Sequence, residues 1–423
     1  MKVIKEGGHR LFEEDPETTK YISELLTELE RDRMDAVRKY SIKFDSWDPK
    51  SFELSCSEID EAVSKCSAQL ISDTEYCQSN VREFAQAQLS SLKPLEKELR
   101  PGIILGHKHI PVDCVGSYIP GGAYPMFGSA QMSIIPAKIA GVKTVVACTP
   151  PVKNEGYYPA TINAMKKAGA DRIFVLGGVQ ALAMMAFGME VVPPADVICG
   201  AGNKFIAEAK RQLYGRCGID ILAGPTEIAI IADDDADPVL VAADILGQAE
   251  HDPNSGQLLI CLSEGFALKT LDELNRQLEF LPTREIAKIS WGNNGKIYVA
   301  ESRQEALSLS DYYAPEHLEL HVKDIDFYFN RLKNYGSLFI GEETTVAYGD
   351  KSIGTNHILP TSRAARYTGG VWVGKFLKTV TYQKMTREAS IEIGRVTERQ
   401  CIAEHMLAHG ITARMRVDKY SRS

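Results

Sequence analysis

Short apolar strands alternate with amphipathic helices along most of this chain, and no other feature restricts its fold as strongly. The first series of strand-like segments is KTVVAC (143–148), DRIFVLG (171–177) and ADVICGAG (195–202). Helical segments such as VQALAMMAFG (179–188) and NKFIAEAKRQLYG (203–215) separate them. Strands joined through helices form a parallel sheet with right-handed crossovers. The alternation therefore predicts an open α/β sheet in this part of the chain.

A second series of the same kind begins at residue 227. Its strand-like segments are EIAIIAD (227–233), QLLICLS (257–263), KIYVA (296–300), HLELHV (317–322) and SLFIG (337–341). Helical segments separate most of these strands. We therefore predict the α/β fold class, with two Rossmann-like open parallel-sheet domains.

Helical patterns flank the two predicted sheets. TTKYISELLTELERDRMDAVRKYSIKF (18–44) has apolar residues at helical spacing, and the segment after residue 385 also looks helical. The predicted organisation has four parts: an N-terminal helical segment (1–97) packed on the second α/β unit, a first Rossmann-like domain (98–226), a second Rossmann-like domain (227–371) and a C-terminal helical tail (372–423).

Charge and cysteine content exclude several classes of function. The 423 residues carry a net charge of −8 and no basic stripe, which argues against a nucleic-acid partner. The N-terminus lacks the apolar core of a signal peptide, and no apolar run approaches the roughly 18 residues that span a bilayer. The nine cysteines include no CxxC pair, which is typical of a reducing compartment. We expect a cytoplasmic protein with no membrane partner.

Glycine-rich turns follow several predicted strands. They are YIPGG (118–122), LGGVQ (176–180) and GAGN (200–203). In doubly wound sheets, such glycines let backbone and helix N-termini approach phosphate. None is a GxGxxG motif, and each alone is more typical of a plain turn. Because three such turns occur in one predicted sheet, a nucleotide-binding cleft is as good an interpretation as three plain turns.

The stretch GQAEHDP (247–253) places two ligand-type side chains at the end of a predicted helix. Asp237 is the expected N-cap and Pro238 fits the first turn. Gln248 and His251 then share a face near the helix C-terminus. A neutral imidazole is a common zinc ligand, while a glutamine carbonyl is a rare one. The pair is either half of a metal site or the solvated end of a surface helix.

A glutamate and a histidine are adjacent in YAPEHLEL (313–320), just before a predicted strand. Pro315 favours extended backbone at Ala314. An acid beside an imidazole can act as a general acid–base pair, but adjacent residues of a strand point to opposite faces. Glu316 and His317 are therefore either a surface dipeptide or a catalytic pair that a turn brings together.

Two further stretches could supply missing metal ligands. A polar loop, AYGDKSIGTNHILPT, contains Asp350 and His357. In the tail stretch AEHMLAHG, His405 and His409 are spaced to share one helix face, whereas Glu404 and His409 are not. Spacing alone favours His405 and His409 as a ligand pair, so both stay open as the tail ligand.

Many ordered stretches of the chain together resemble the histidinol dehydrogenase family. The most specific are YIPGG, IPAKIAGVKTVVACTPP, LGGVQALA, GNKFIAEAKR, GIDILAGPTEIAIIAD, GQAEHDP, YAPEHLE and GTNHILPTS. The resemblance runs over nearly the whole chain. It implies a homodimer that binds one Zn²⁺ per subunit and NAD. Its expected activity is oxidation of a small polar primary alcohol through an aldehyde to a carboxylate with two NAD+, and L-histidinol to L-histidine is the reference reaction.

The resemblance also implies roles for individual residues. The implied zinc ligands are Gln248, His251, Asp350 and His409, with His409 coming from the partner subunit because the family's tail crosses over. Glu316 is expected to activate water and His317 to move protons. The implied NAD contacts are Tyr118, Gln180 and Asn203. The implied substrate-binding residues are Thr226, His317, His357 and Glu404.

The chain departs from the family's pattern around the expected substrate pocket. Phe127 and Gly128 stand where the family usually has two serines, and GPTE places Thr226 where a serine would face the substrate amine. GAGN also replaces GPGN. These changes spare the implied zinc and acid–base residues, so they affect the substrate rather than the reaction. FDSWDPKSF (44–52) and GEETTVAYGD (341–350) resemble sulfopropanediol dehydrogenases, which act on a sulfonated diol.

A dehydrogenase of a sulfonated diol, a zinc hydrolase and a non-catalytic binder would each require different residues. A sulfonate pocket requires a cation, which Lys351, Arg363 or Arg366 could supply. A zinc hydrolase would use Glu316 and zinc-bound water, and the nucleotide-type turns count against it. A non-catalytic small-molecule binder would have lost a metal ligand or the acid–base pair, and neither is lost.

Overall fold

The computed structural model describes residues 1–8, 15–121, 124–153, 156–189 and 192–422. Within these residues the chain divides into two compact units. The larger unit contains Met1–Leu89 and Val112–Phe376, and the smaller unit contains Ser90–Pro111 and the chain from Leu377 onward. The predicted α/β class is confirmed, because helices and parallel sheets build the larger unit. None of the helices in these residues combines the length and the hydropathy that a membrane span requires.

Helices dominate the start of the chain, as the sequence predicts. The elements before residue 112 are β1 (Lys2–Lys5), α1 (Pro16–Asp45), α2 (Cys56–Ser64), α3 (Ala68–Ser91), β2 (Leu95–Arg100) and β3 (Ile103–Pro111). Asp15 caps α1 by accepting from the Thr18 backbone N–H, and Ser55 forms a capping box with Glu58 at α2. These caps satisfy N–H groups that a helix start leaves unpaired.

The first parallel sheet follows. Its strands are β4 (Cys114–Tyr118), β5 (Thr144–Thr149), β6 (Arg172–Val175), β7 (Val197–Cys199) and β8 (Gly218–Ile219). The helices between them are α4 (Gly128–Ala140), α5 (Pro159–Ala168), α6 (Gly178–Phe187) and α7 (Lys204–Leu213). The order across the sheet is β6-β5-β4-β7-β8, and every pair is parallel. Strand order therefore reverses between β4 and β7, the point at which doubly wound sheets bind ligands.

The helices α1 and α2 pack on helices of this first sheet rather than on the second α/β unit predicted for residues 1–97, whereas the short strand β1 of the same segment joins the second sheet. Ile22, Leu29 and Val37 of α1 share an apolar core with residues of α6 and α7, and α2 packs on α5. The sequence periodicity predicts an apolar stripe on α1. Both sheets offer apolar helix faces that could receive such a stripe, so the pattern does not distinguish them.

The second parallel sheet repeats the first. Its strands are β9 (Glu227–Ala232), β10 (Gly256–Cys261), β11 (Lys296–Val299), β12 (His317–His321) and β13 (Ser337–Ile340). Its helices are α8 (Pro238–Ala249), α9 (Glu264–Leu278), α10 (Arg284–Asn294), α11 (Arg303–Tyr313), α12 (Ile325–Phe329) and α13 (Val346–Lys351). The order is β11-β10-β9-β12-β13, with β1 added antiparallel to β11. Short 3-10 helices at Ala364–Arg366 and Val373–Phe376 follow.

Strand β12 has one apolar and one polar buried face. Leu318 and Leu320 join an apolar core on one side. His317, Glu319 and His321 alternate with them and point to the other side, next to β9 residues that pack under α8. Buried polar side chains require hydrogen-bond or metal partners, so this face of β12 is a candidate functional site.

The smaller unit differs from the predicted helical tail in one element. β14 (Leu377–Met385) pairs antiparallel with β3, and β2 lies on the other side of β3. The helices α14 (Arg387–Ala403) and α15 (Leu407–Tyr420) then complete the chain, which confirms the helical end. Residues 98–111, predicted to belong to the first Rossmann-like domain, are therefore part of the smaller unit. Their partner strand lies about 270 residues further on, beyond the reach of local patterns.

Candidate active site

The predicted acid–base pair lies at the amino end of β12, near the carboxyl end of α8. Glu316 and His317 are buried, with 6% and 3% of their surface exposed. Glu316 Oε2 lies 3.4 Å from His317 Nδ1. Gln248 of α8 is also buried, and His251 follows just after the helix end. Ligand groups in doubly wound sheets usually lie beyond the carboxyl ends of strands, so this cluster departs from that pattern.

A turn brings the two adjacent side chains together. The helix α11 ends at Tyr313, and its C-cap residue Ala314 is left-handed, with φ 47° and ψ 60°. The expectation that Pro315 would keep Ala314 extended was wrong, because Ala314 terminates the helix in the left-handed form instead. The strand begins only at His317, which leaves Glu316 in the turn and outside the alternation of the strand.

The main chain of Glu227, the first residue of β9, holds both members of the pair. Its N–H donates to Glu316 Oε2 at 2.9 Å, and its carbonyl oxygen lies 2.9 Å from His317 Nδ1. A carbonyl oxygen can only accept, so Nδ1 carries a proton and Nε2 keeps the lone pair in the neutral ring. Among the described residues Nε2 has no hydrogen-bond partner, and it lies 3.9 Å from Asp350 Oδ1. His317 is thus arranged to accept a proton at Nε2.

Thr226 links the acid to α8. Its hydroxyl donates to Glu316 Oε2 at 2.6 Å and accepts from the side-chain amide of Gln248. Because Gln248 uses its amide nitrogen in this way, its amide oxygen is the atom that it can offer to a further partner. Burial raises the pKa of Glu316, although His317 and Thr226 act in the opposite direction. A raised pKa makes the Glu316 carboxylate a stronger base than an exposed glutamate.

Three of the expected zinc ligands lie in the larger unit. Gln248 and His251 come from the end of α8, and Asp350 comes from the end of α13. Burial lowers the pKa of His251, which favours the neutral imidazole that a metal requires. An imidazole nitrogen, a carboxylate oxygen and an amide oxygen form a donor set that fits zinc. His409 lies in α15 of the smaller unit.

His357 is hydrogen-bonded through both ring nitrogens. Its Nδ1 lies 2.9 Å from the Asp350 carbonyl oxygen, and its Nε2 lies 3.0 Å from the Ser129 hydroxyl. Gln131, in the same helix α4 as Ser129, donates to the Lys351 carbonyl oxygen at 2.9 Å. These bonds join α4 of the first sheet to α13 and the loop after it. His357 therefore lies where the two sheets meet, and its contact with substrate stays a prediction.

The residues expected to contact NAD lie at the carboxyl edge of the first sheet. Tyr118 ends β4, Gln180 is in the first turn of α6, and Asn203 caps α7. The Tyr118 hydroxyl accepts from the Gly178 backbone N–H at 3.2 Å, and burial raises the pKa of Tyr118 to about 12. The predicted glycine turns follow β4, β6 and β7, although Gly122 lies outside the described residues. The edge is thus rich in backbone groups next to helix starts.

Asp45, the last residue of α1, joins this edge and was not predicted. Its Oδ2 atom accepts from Gln180 Nε2 at 3.2 Å. The Gln180 amide oxygen is buried without a partner among the described residues. A carboxylate and an orphaned amide oxygen beside a glycine turn can be satisfied by ribose hydroxyls, so this edge fits a dinucleotide. Asp45 and Gln180 are 135 residues apart in sequence, so no local motif connects them.

The tail histidines do not share a helix face, contrary to the sequence prediction. The helix α14 ends at Ala403 and α15 begins at Leu407, and His405 lies in the turn between them with φ 58°. The two helices pack on each other, which requires the chain to turn. Glu404 is the C-cap of α14. The stretch contains no glycine or proline before His409 that would have indicated the turn.

The three candidate sulfonate-binding cations occupy different surroundings. Lys351 Nζ lies 4.0 Å from Asp350 Oδ2 at the end of α13. Arg363 stacks on the Tyr312 ring, with 4.6 Å between guanidinium carbon and ring centroid. Arg366 donates to the Arg363 carbonyl oxygen. Of the three, Lys351 is the cation that lies beside an expected zinc ligand.

Paired Rossmann-like sheets that meet beside a buried acid–imidazole pair are the features of an α/β dehydrogenase, a class of oxidoreductase. The model of the histidinol dehydrogenase family matches residues 9–417. The chain belongs to the histidinol dehydrogenase family.

Individual relatives agree with this assignment. A histidinol dehydrogenase homolog of Shouchella clausii is 50% identical over 401 residues, which cover 95% of this chain and 94% of the relative. The sulfopropanediol 3-dehydrogenase of Ruegeria pomeroyi is 43% identical over 93% of this chain and 91% of its own length. The crystal structure of histidinol dehydrogenase from Elizabethkingia anophelis superposes with a TM-score of 0.92, at 32% identity, over 98% of this chain and 95% of that one.

Proposed function

We propose that this dehydrogenase oxidises a polar primary alcohol through an aldehyde to a carboxylate, with NAD and zinc as cofactors. Family membership makes L-histidinol to L-histidine the reference reaction. The observation that carries the proposal is the clamped Glu316–His317 pair, with a free Nε2 near Asp350. A proton acceptor beside a candidate metal ligand is what alcohol oxidation requires.

The cofactors would be held by residues from both sheets and the tail. The proposed zinc ligands are Gln248, His251, Asp350 and His409. The proposed NAD contacts are Tyr118, Gln180 and Asn203. The proposed substrate contacts are Thr226, His317, His357 and Glu404. When bound, zinc orients and polarises the substrate oxygen and NAD+ accepts hydride.

His317 serves the first oxidation. As hydride leaves the alcohol carbon, the hydroxyl proton passes to His317 Nε2 and the aldehyde forms. The Glu227 carbonyl oxygen accepts from Nδ1 throughout, so it orients the ring and stabilises the imidazolium that results. The ring then returns its proton to solvent before the second half of the reaction.

Glu316 serves the second oxidation. Its carboxylate removes a proton from water as the water oxygen adds to the aldehyde carbon, and Glu316 then returns this proton to the former carbonyl oxygen, which gives the hydrate. As a second hydride leaves the hydrate carbon, a hydroxyl proton passes to His317 Nε2 and the carboxylic acid forms. Thr226 and the Glu227 N–H both donate to Oε2, so Oε1 is the oxygen left to face water. The burial of Glu316 keeps bulk water from competing for this base.

The proposed assembly is a homodimer in which each site takes His409 from the partner subunit. The tail supports a partner because α15 exposes an apolar stripe. Leu407, Ile411 and Met415 lie four residues apart and are 60%, 59% and 65% exposed. A contiguous apolar stripe on a helix surface is typical of a covered interface.

A second candidate substrate is sulfopropanediol, and Lys351 is the observation that favours it. Its ammonium group lies beside Asp350, where it could pair with a sulfonate but would repel the amino group of L-histidinol. We would compare kcat/KM for both alcohols on zinc-loaded enzyme. If the sulfonate is the substrate, Lys351→Met is expected to lower its kcat/KM about 10- to 100-fold, the worth of a charge-assisted contact.

Arg366→Met is the matched control, because it removes a cation that donates to a backbone carbonyl elsewhere. A larger kcat/KM for L-histidinol that Lys351→Met leaves unchanged would assign the enzyme to the reference reaction instead. Turnover of neither alcohol by protein that binds NAD would point to another polar alcohol. Failure to bind NAD would instead favour a zinc hydrolase or a non-catalytic small-molecule binder.

Thr226→Val tests the link between the acid and α8. Valine keeps the shape of threonine but removes the hydroxyl that bonds both Glu316 and Gln248. Loss of a hydrogen bond to a charged group costs about 1.5–3 kcal/mol, so kcat is expected to fall about 10- to 100-fold. Thr226→Ser keeps the hydroxyl and should retain most of the activity. Equal kcat values for the two variants would remove Thr226 from the mechanism.

A further inference from the structure

A second polar cluster lies at the opposite end of β12 from the acid–base pair. His321 Nε2 is 3.3 Å from Glu319 Oε2 and 3.9 Å from Asp244 Oδ2 of α8. The three ligand-type atoms all lie within 4.8 Å of one another. The side chains of Glu319 and His321 are 0% and 1% exposed, and that of Asp244 is 16% exposed. Such spacing is close to that of atoms bound to one ion at about 2.0–2.2 Å each.

The far oxygens of both carboxylates are held by other groups. Thr345 Oγ1 donates to Asp244 Oδ1 at 2.8 Å, and the Val346 backbone N–H donates to Glu319 Oε1 at 3.0 Å. The near oxygens are therefore left to converge on His321 Nε2. Hydrogen bonds that orient the outer atoms of carboxylates are the usual surroundings of metal ligands.

The histidine ring is also incompletely satisfied. His321 is buried, and its Nδ1 has no hydrogen-bond partner in the part of the chain that the structure describes. A carboxylate oxygen can only accept, so the Glu319 carboxylate holds a proton on Nε2 when no metal is bound. A divalent ion bound at Nε2 would replace that proton, and the ring's remaining hydrogen would then lie on Nδ1.

The carboxylates of this cluster have His321 as their cationic partner when its ring is protonated. Within the described ranges neither Asp244 nor Glu319 pairs with a lysine or arginine, and Glu342 adds a further negative field at His321. Two carboxylates that converge on one imidazole, one of them fully buried, are a place where a divalent ion would supply two positive charges in exchange for a single proton.

We propose that Asp244, Glu319 and His321 form a second divalent-metal site, separate from the expected catalytic zinc. One imidazole with two carboxylates suits a transition-metal ion such as Zn²⁺ or Mn²⁺ better than Ca²⁺ or Mg²⁺, which prefer oxygen ligands. The partly exposed side of Asp244 leaves room for water to complete the coordination.

The role of this site is structural. Its ligands and their hydrogen-bond donors belong to α8, β12 and the start of α13. These same elements carry or precede Gln248, His251, His317 and Asp350. An ion here would fix the helices and the strand that position the proposed active site, without contacting substrate.

Metal counting on the full-length protein tests the proposal. Protein stripped by chelation, reloaded with Zn²⁺ and desalted should contain two zinc ions per chain by mass spectrometry. His251→Ala should retain one ion, and His321→Gln should also retain one. Zinc should raise the melting temperature of His251→Ala but not that of His251→Ala combined with Asp244→Asn. One ion in the wild type with none in His251→Ala would overturn the proposal.

Two further variants make the count decisive. Asp244→Asn preserves shape and serves if His321→Gln fails to fold, and it too should lose one ion. His107→Gln is the matched control for surface binding, because His107 and His109 are neighbours on β3, with ring centroids 5.1 Å apart. It should keep both ions. Loss of the second ion in His107→Gln, with none lost in Asp244→Asn, would assign that ion to the surface pair instead.

Discussion

Replacing Glu316 with glutamine is expected to stall oxidation of the aldehyde while sparing most of the oxidation of the alcohol. Glutamine can still accept from Thr226 and from the Glu227 N–H, so the turn that holds it should persist. It cannot remove a proton from water. Loss of a general base costs about 10²- to 10⁴-fold, and we expect that loss in the aldehyde step alone.

The two halves can be measured separately by supplying either the alcohol or the aldehyde with NAD+ and following NADH in single-turnover experiments. His317→Asn provides the contrast, because a base that accepts the hydroxyl proton is needed from the first step onward. It should slow alcohol oxidation by a similar factor. If Glu316→Gln slowed both halves equally, Glu316 would not be the group that activates water.

Loss of a proposed zinc ligand should lower activity as strongly as Glu316→Gln does. His251→Ala and His409→Ala are each expected to weaken zinc binding at the catalytic site by more than about 100-fold, since even loss of an outer-shell partner costs 10- to 100-fold. Both variants should be inactive as pure homodimers. Metal analysis and NADH formation measure the two effects independently. Unchanged zinc affinity in His409→Ala would redirect attention to His405.

Mixing these two inactive variants tests whether sites are shared between subunits. In a heterodimer with crossed tails, one site receives both substitutions and the other receives neither. Random reassociation should therefore restore roughly one quarter of the wild-type activity, because about half of the dimers are mixed and each has one intact site. Verified heterodimers without activity would show that His409 serves its own chain or does not bind zinc.

The sequence was sufficient to predict both parallel sheets because their signals are local. Apolar strands such as EIAIIAD and QLLICLS stand out within a few residues, and Asp237 and Pro238 cap α8 as predicted. The glycine turns likewise follow the strands at which they were expected. The position of the N-terminal helices, in contrast, depends on which of two similar surfaces receives their apolar stripe, and local patterns do not decide this. The pairing of β14 was also missed, because its partner β3 is far away in sequence.

Prediction of the site was limited in a different way. The main-chain N–H and carbonyl oxygen of Glu227 hold Glu316 and His317, and main-chain atoms carry no sequence signature. The left-handed Ala314 contradicts the local preference of a residue before proline. The cluster of Asp244, Glu319 and His321 did have a signal, since HLELH places three polar residues on one strand face. The sequence did not show that these side chains are buried beside Asp244 of α8, and only the tertiary structure brings the three together.

The most direct test of the central claim is the amount of NADH formed per molecule of alcohol consumed. We would use zinc-loaded enzyme with whichever of L-histidinol and sulfopropanediol it oxidises faster, and a chelated sample alongside. The proposed four-electron oxidation predicts about two NADH and one carboxylate product per alcohol, abolished by the chelator. One NADH with accumulation of free aldehyde would contradict it, and so would turnover that survives complete removal of metal.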